Sequence, residues 1–225
     1  MEKISKLKKL LSYYNLDGYI VPKNDEFFCE YVPENKDRLK FISNFSGSFG
    51  LALILKNKNY LFVDGRYTLQ AKIESKKFFK ILTFPHKFPS DILYKRKLKI
   101  GFDPKLHTKK NIKMFFNRTS CELIPTKSNL VDKLWVKKEK NNPKKFYTLP
   151  KKVVGLSHDS KVKRLINLLN SKGTNFQLIT SGENIAWLLN IRGSDSEFTP
   201  LTNALLTIDI FKKIYLFCDL KKVNL

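Results

Sequence analysis

Apolar residues at Ile4, Leu7, Leu10 and Leu11 recur at helical spacing, so the chain opens with a predicted amphipathic helix that stops before Gly18. Residues 19–21 then predict a strand. Residues 23–48 are polar and aromatic without a sustained period and end in a turn-rich run, which predicts a long structured loop. Two apolar runs, 51–55 and 60–63, flank Lys56-Asn57-Lys58-Asn59 and read as a hairpin. Asp64-Gly65-Arg66-Tyr67 follows at once, and Tyr67, Ala71 and Ile73 start a helix reaching Lys76, so the motif occupies a strand-to-helix corner. Strands at 78–83, 99–102 and 122–124 alternate with helices at 90–96 and 109–117, which predicts a layered α/β domain.

The pattern changes at residue 127. Prolines, lysines and Asn141-Asn142 interrupt any period up to 152, which predicts a linker that begins with an ordered patch, residues 130–135. A second α/β pattern follows: a helix at 159–170 with Val162, Leu165, Ile166 and Leu169 on one face, a strand at 176–179, a capped helix at 181–189, and strands at 205–208 and 214–217. The expected division is a first domain over 1–126, a linker over 127–152 and a second domain over 153–225. Two helices and three strands make a thin core, so the second domain is expected to be incomplete, with an open sheet edge.

Composition narrows the function classes. With 225 residues, 42% apolar and 28% charged, the chain can bury a core, which excludes general disorder. Its longest apolar run, 51–55, falls far short of the roughly 20 residues of a membrane helix, so no membrane partner is expected. The first residues carry no secretory apolar region, and no arginine precedes Arg38, so the expected location is cytoplasmic. Cys29, Cys121 and Cys218 form no pair, which suits a reducing compartment. His86, His107 and His158 lack metal-ligand spacing and are expected as ordinary surface or loop histidines. The net charge of +23 invites a nucleic-acid reading, but only six of the 43 cations are arginine and the lysines are scattered. Arginine reads bases and phosphates bidentately, so specific nucleic-acid recognition is not expected, only weak attraction to polyanions.

Five stretches in register resemble the N-terminal half of the aminopeptidase P family, three-domain Xaa-Pro aminopeptidases. They are Asp25-Glu26-Phe27 with Glu30-Tyr31-Val32-Pro33, residues 41–48, Asp64-Gly65-Arg66-Tyr67 with Leu69-Gln70-Ala71, residues 129–135, and residues 185–195. The resemblance implies a creatinase-like layered mixed sheet with flanking helices, followed by a second, incomplete domain of similar type. It also implies a missing C-terminal metallopeptidase domain that would hold two divalent metal ions, usually manganese. No metal ligand and no catalytic residue of that kind is expected here.

In such enzymes the arginine of the Asp-Gly-Arg-Tyr motif contacts bound peptide, so Arg66 becomes the candidate substrate-binding residue, supported by Asp64, Gly65 and Tyr67. The alternative is that Arg66 merely pairs with Asp64. Gly65 is expected to make a turn that bulkier residues cannot, as are Gly47 and Gly50. Trp187 is expected in the core, Asp132 and Trp135 as anchors of the linker, and Arg192 and Asp195 as interdomain candidates. The implied partners are the missing catalytic domain, or a separately encoded one, together with peptides and a second copy in a homo-oligomer. The expected function is thus the non-catalytic part of an Xaa-Pro aminopeptidase, inactive alone; the rival is a stand-alone, catalytically dead peptide- or protein-binding module.

Overall fold

The computed structural model describes residues 2–136 and 143–223. The chain divides into two compact units, 1–139 and 140–225. The middle of the expected linker, 137–142, lies outside the described residues.

Unit 1 runs α1 (Glu2–Tyr13), β1 (Gly18–Pro22), α2 (Arg38–Ser43), β2 (Gly50–Leu55), β3 (Asn59–Val63), α3 (Thr68–Ser75), β4 (Lys80–Thr83), α4 (Pro89–Leu93), β5 (Lys99–Phe102), α5 (Lys109–Phe116) and β6 (Glu122–Pro125). Its six strands lie in the order β4-β3-β2-β1-β5-β6. The central three are antiparallel neighbours, and β4, β5 and β6 add parallel to their own neighbours. Both faces are covered, which is why β2 is buried throughout and reads as a continuous apolar run. Tyr19, Val21, Ala52, Ile54, Leu61 and Val63 pack against the apolar faces of α1 and α2. On the other face, Ile20, Leu51, Leu53, Tyr60 and Phe62 meet Leu93 of α4 and Phe115 and Phe116 of α5.

Two features depart from the sequence reading. The stretch 23–48 is not all loop: Asp37 accepts a hydrogen bond from the Lys40 amide and caps α2, and Asn44 closes it in the left-handed conformation. Residues 127–136 pack onto unit 1, with Leu130 and Val131 in its core and Trp135 stacked 4.6 Å from Phe41.

Unit 2 contains β7 (Tyr147–Thr148), α6 (Lys151–Val154), α7 (His158–Ser171), β8 (Phe176–Ile179), α8 (Gly182–Leu189), β9 (Ile191–Arg192), β10 (Leu205–Asp209) and β11 (Ile214–Phe217). A three-stranded antiparallel sheet, ordered β11-β10-β8, buries Leu206 and Ile208 against Val162, Ile166, Ile185 and Leu188 of α7 and α8. The short β7 and β9 pair separately.

Candidate functional site

The strand β3 ends at Val63, and the next residue starts a tight 3₁₀ turn, Gly65–Tyr67, before α3. Asp64 caps that turn by accepting the Arg66 amide at 2.9 Å. The same carboxylate receives Arg66 Nε at 3.2 Å and Nη2 at 2.6 Å. The hydrogen bonds from Arg66 hold the Asp64 carboxyl below its ordinary range. Arg66 therefore does make the local pair that the sequence set against peptide contact. Its side chain nevertheless remains 72% exposed, with the guanidinium 5.2 Å from the Tyr67 ring. A cation held at one edge and open at the other keeps donors for a carbonyl or carboxylate.

The turn-rich residues before β2 come to the same corner. Tyr67 shares a 2.8 Å hydrogen bond with Ser48 and meets the edge of the buried Phe45. Glu74 of α3 accepts from the Ser46 amide at 2.8 Å and hydroxyl at 2.7 Å, while Gln70 donates to both Ser46 and Glu74. Burial pushes Glu74 up, but these donors outweigh it and hold its carboxyl low. Gly47 is required by close approach, since a Cβ there would lie 2.3 Å from Phe45 Cζ. Gly50 is similarly crowded by Phe45 and Leu39 at 3.0–3.1 Å. Gly65 does not fit its expectation: a Cβ would meet nothing within 4 Å, and its φ lies outside the left-handed region.

Elsewhere in unit 1, sequence reasoning missed an ionic clamp. Arg38, only 2% exposed, donates to Asp132 at 2.9 and 2.8 Å and to Glu26 at 2.7 Å. Burial raises Glu26, yet Arg38, its own backbone amide and Lys36 together hold it down at about 2. The clamp ties the 23–33 loop and the 127–136 segment to α2. Tyr19 reinforces the tie by bonding Thr126 and the Leu130 amide, and burial pushes its hydroxyl up to about 12. Arginine's scarcity among the cations was the available signal, because arginine is the cation suited to buried pairs.

His107 lies in a loop, as expected, but its ring is turned inward. Both ring nitrogens are buried without a hydrogen-bond partner, against the edge of Phe102 at 5.8 Å, and burial pushes the imidazole down to about 4.

In unit 2, the expected interdomain residues are engaged locally. Asp195 accepts from buried Lys222 and from the Asn203 amide, both at 2.7 Å. Arg192 donates to the carbonyls of Ala186 and Ile191. Trp187 is not a core residue: it is 56% exposed, because α8 is apolar around most of its circumference and turns Ile185, Ala186 and Leu188 inward instead. Among the described residues, no group of three or more His, Cys, Asp or Glu side chains is placed to hold a metal ion, and no helix is long and apolar enough to cross a membrane.

The family model described as the creatinase/prolidase N-terminal domain matches residues 3–134, and a second model of the same description matches 137–225. The chain is 33% identical to a Laccaria bicolor protein named "Probable Xaa-Pro aminopeptidase P", over 97% of this chain and 35% of that protein. It is 32% identical to "Aminopeptidase P1" of Lotus japonicus, over 98% of this chain and 35% of that protein. The crystal structure of X-prolyl aminopeptidase from Caenorhabditis elegans, described as a cytosolic enzyme with a di-nuclear active site, covers all of this chain with a TM-score of 0.90 and 28% identity. This chain covers 39% of that structure, and about a third of the curated relatives' length. Matched along both of its units, the chain belongs to the creatinase/prolidase N-terminal domain family.

Proposed function

We propose that this chain is the N-terminal, non-catalytic part of a cytoplasmic Xaa-Pro aminopeptidase, an enzyme that releases the first residue of peptides with proline second. The observation that carries the reading is the match to Xaa-Pro aminopeptidases along nearly the whole chain but only about a third of their length. Two metal ions, with manganese as the proposed pair, belong to the catalytic remainder. The donors present here do not fit them, because among the described residues no three candidate ligands converge. Its own contribution is substrate access and binding through Arg66, whose guanidinium Asp64 orients while leaving it exposed. Assembly with the catalytic part, and into a homo-oligomer, completes the role.

The purified chain, incubated with an Xaa-Pro dipeptide with and without manganese, is expected to release no proline, since among the described residues no ligand cluster is placed to hold a metal that would activate water. Hydrolysis that is abolished by a chelator and survives repurification would overturn the reading.

A further inference from the structure

Unit 1 has an open groove at the end of β3 opposite the Arg66 corner. The β2–β3 hairpin turns through Lys56-Asn57-Lys58 and is closed by the Leu55 amide donating to the Lys58 carbonyl at 2.9 Å. β3 begins beside it at Asn59, and β4 begins at Lys80 as the parallel partner of Tyr60. Between α3 and β4 the chain makes a 3₁₀ turn, Lys76–Phe78. Asn59 Nδ2 donates to the Phe78 carbonyl at 2.9 Å and so ties the hairpin to that turn. The first two turns of α1 close the groove with Ile4, Ser5 and Lys8. Its volume is about 590 Å³, and Ile4, Phe78 and Phe79 supply an apolar lining. The five residues of β3 span roughly 17 Å, so this groove is separate from the peptide site assigned to Arg66.

Charge sets this groove apart from two others in unit 1. Beside Trp135, a groove lined by Lys3 and Lys40 also carries Glu34 and Asp37. Beside the ionic clamp, one lined by Arg38, Lys105, Lys127 and Lys133 also carries Glu26, Asp103 and Asp132. The groove at the hairpin is lined by Lys8, Lys58, Lys77 and Lys80 and by no acidic residue. Among the described residues none of these four lysines pairs with a carboxylate, whereas the flanking Lys6 and Lys56 are matched by Glu2 at 2.6 Å and Asp17 at 2.8 Å. The uncompensated charge is therefore confined to the groove. Lys8 is half-buried there, and burial pushes its ammonium down because no carboxylate offsets the lost hydration. Four like charges around one opening repel one another, and their summed field concentrates anions within it.

We propose that this groove binds a small organic polyphosphate, an anion with two or three phosphate groups on a compact apolar or aromatic body. The phosphates meet Lys8, Lys58, Lys77 and Lys80, and the body lies on Phe78 and Ile4. Lysine ammonium groups hold phosphate as point charges and do not need the planar fork of arginine. Ser5 and Asn57 add a hydroxyl and an amide donor at the rim. The volume falls among ligand clefts of about 300–1,000 Å³ and exceeds what a lone phosphate fills. A nucleic-acid strand needs positive charge continued along its backbone, which the pairing of Lys6 and Lys56 denies it. The site requires neither Arg66 nor catalysis, so a failed peptidase assay and a failed binding test are separate results.

The test is calorimetric titration of the 225-residue chain with adenosine triphosphate at about 0.15 M salt, without magnesium. Saturable binding that weakens as salt rises is expected. Lys58→Gln with Lys77→Gln should weaken it by roughly tenfold or more, whereas Lys109→Gln with Lys110→Gln, which removes the same charge from the start of α5, should change it by less than about twofold. All four of these lysines are exposed, so both variants should melt at the parent's temperature without ligand. Arg66→Ala should leave binding unchanged, and inorganic tripolyphosphate, which has no body to lie on Phe78, should bind more weakly. Equal losses in the two lysine variants would mean general attraction by the net charge. Loss in Arg66→Ala would move the anion to the other end of β3. Tripolyphosphate binding as tightly as the nucleotide would remove the organic body, and no saturation at millimolar nucleotide would remove the site. Any of these four results overturns the proposal.

Discussion

Arg38→Met removes the guanidinium that joins Glu26 to Asp132 while keeping the apolar stem under the core. The replaced contacts are two charge-assisted bonds to Asp132 and one to Glu26. Removing one partner of a buried ion pair costs about 3–5 kcal/mol, chiefly because the opposite charge is left unpaired. The Glu26 and Asp132 side chains keep 24% and 33% of their exposure, so water recovers part of this and the expected loss is about 3 kcal/mol. The depressed Glu26 carboxyl sets a ceiling. Glu26 sits at about 2 against an ordinary 4.5, a difference worth about 3 kcal/mol, shared among Arg38, Lys36 and the backbone. Because its folded value is depressed, this stabilisation is fully present above pH 4.5 and is lost as pH falls through 2; at pH 3 about 2 kcal/mol of it is gone. The assay is urea unfolding at pH 7 and pH 3 in a Trp187→Phe background, so that Trp135, stacked on Phe41, is the reporter. The variant should lose about 3 kcal/mol at pH 7 and show a flatter acid slope than its parent. A difference under about 0.5 kcal/mol, or an unchanged slope, would refute the clamp.

His107 supplies a second pH test: the folded chain resists its protonation down to about 4, whereas the unfolded chain binds the proton below about 6.5. Stability should therefore fall as pH drops from 6.5 to 4, by about 2 kcal/mol at pH 5, and His107→Leu should flatten that window in the same unfolding curves. The glycines make a paired prediction. Gly47→Ala drives a methyl into Phe45 and should cost about 1–3 kcal/mol, whereas Gly65→Ala enters open space and should change stability by less than about 0.5 kcal/mol, both read by thermal unfolding.

Elements whose apolar period is long enough to outvote local noise were legible from the chain alone. The α1 face of Ile4, Leu7 and Leu11, the β2–β3 hairpin and the Asp64 corner lie where their patterns place them. The α2 helix was not legible, because six residues carry too little period and much of its anchoring comes from Asp132, 94 residues away from Arg38. Trp187 was misjudged for a related reason: on a helix that is apolar nearly all round, sequence cannot say which side meets the sheet. Gly65 was assigned a conformational need from its place in a motif, yet the turn there is an ordinary capped one in which Asp64 does the work. Arg66 and its pairing with Asp64 were foreseeable, since residues two apart at a capped turn meet without help from the rest of the fold. That unit 2 is of the same type as unit 1 was legible only through the family resemblance, because positions such as Phe41 and Trp187, each lying under a lysine, preserve geometry more than residue type.

The most direct measurement of the account is peptide turnover by this chain fused to the remainder of the Laccaria bicolor protein, compared with its Arg66→Ala and Lys72→Ala variants. If the Arg66 guanidinium holds peptide, its removal should lower kcat/KM on longer Xaa-Pro peptides by roughly tenfold or more. The melting temperature should stay near the parent's, because an exposed pair with Asp64 contributes little to folding. Lys72→Ala, which neutralises an exposed lysine on the following helix, should leave turnover nearly unchanged. Equal losses in the two variants, or a large fall in melting temperature without a kinetic effect, would contradict the assignment of Arg66 to substrate.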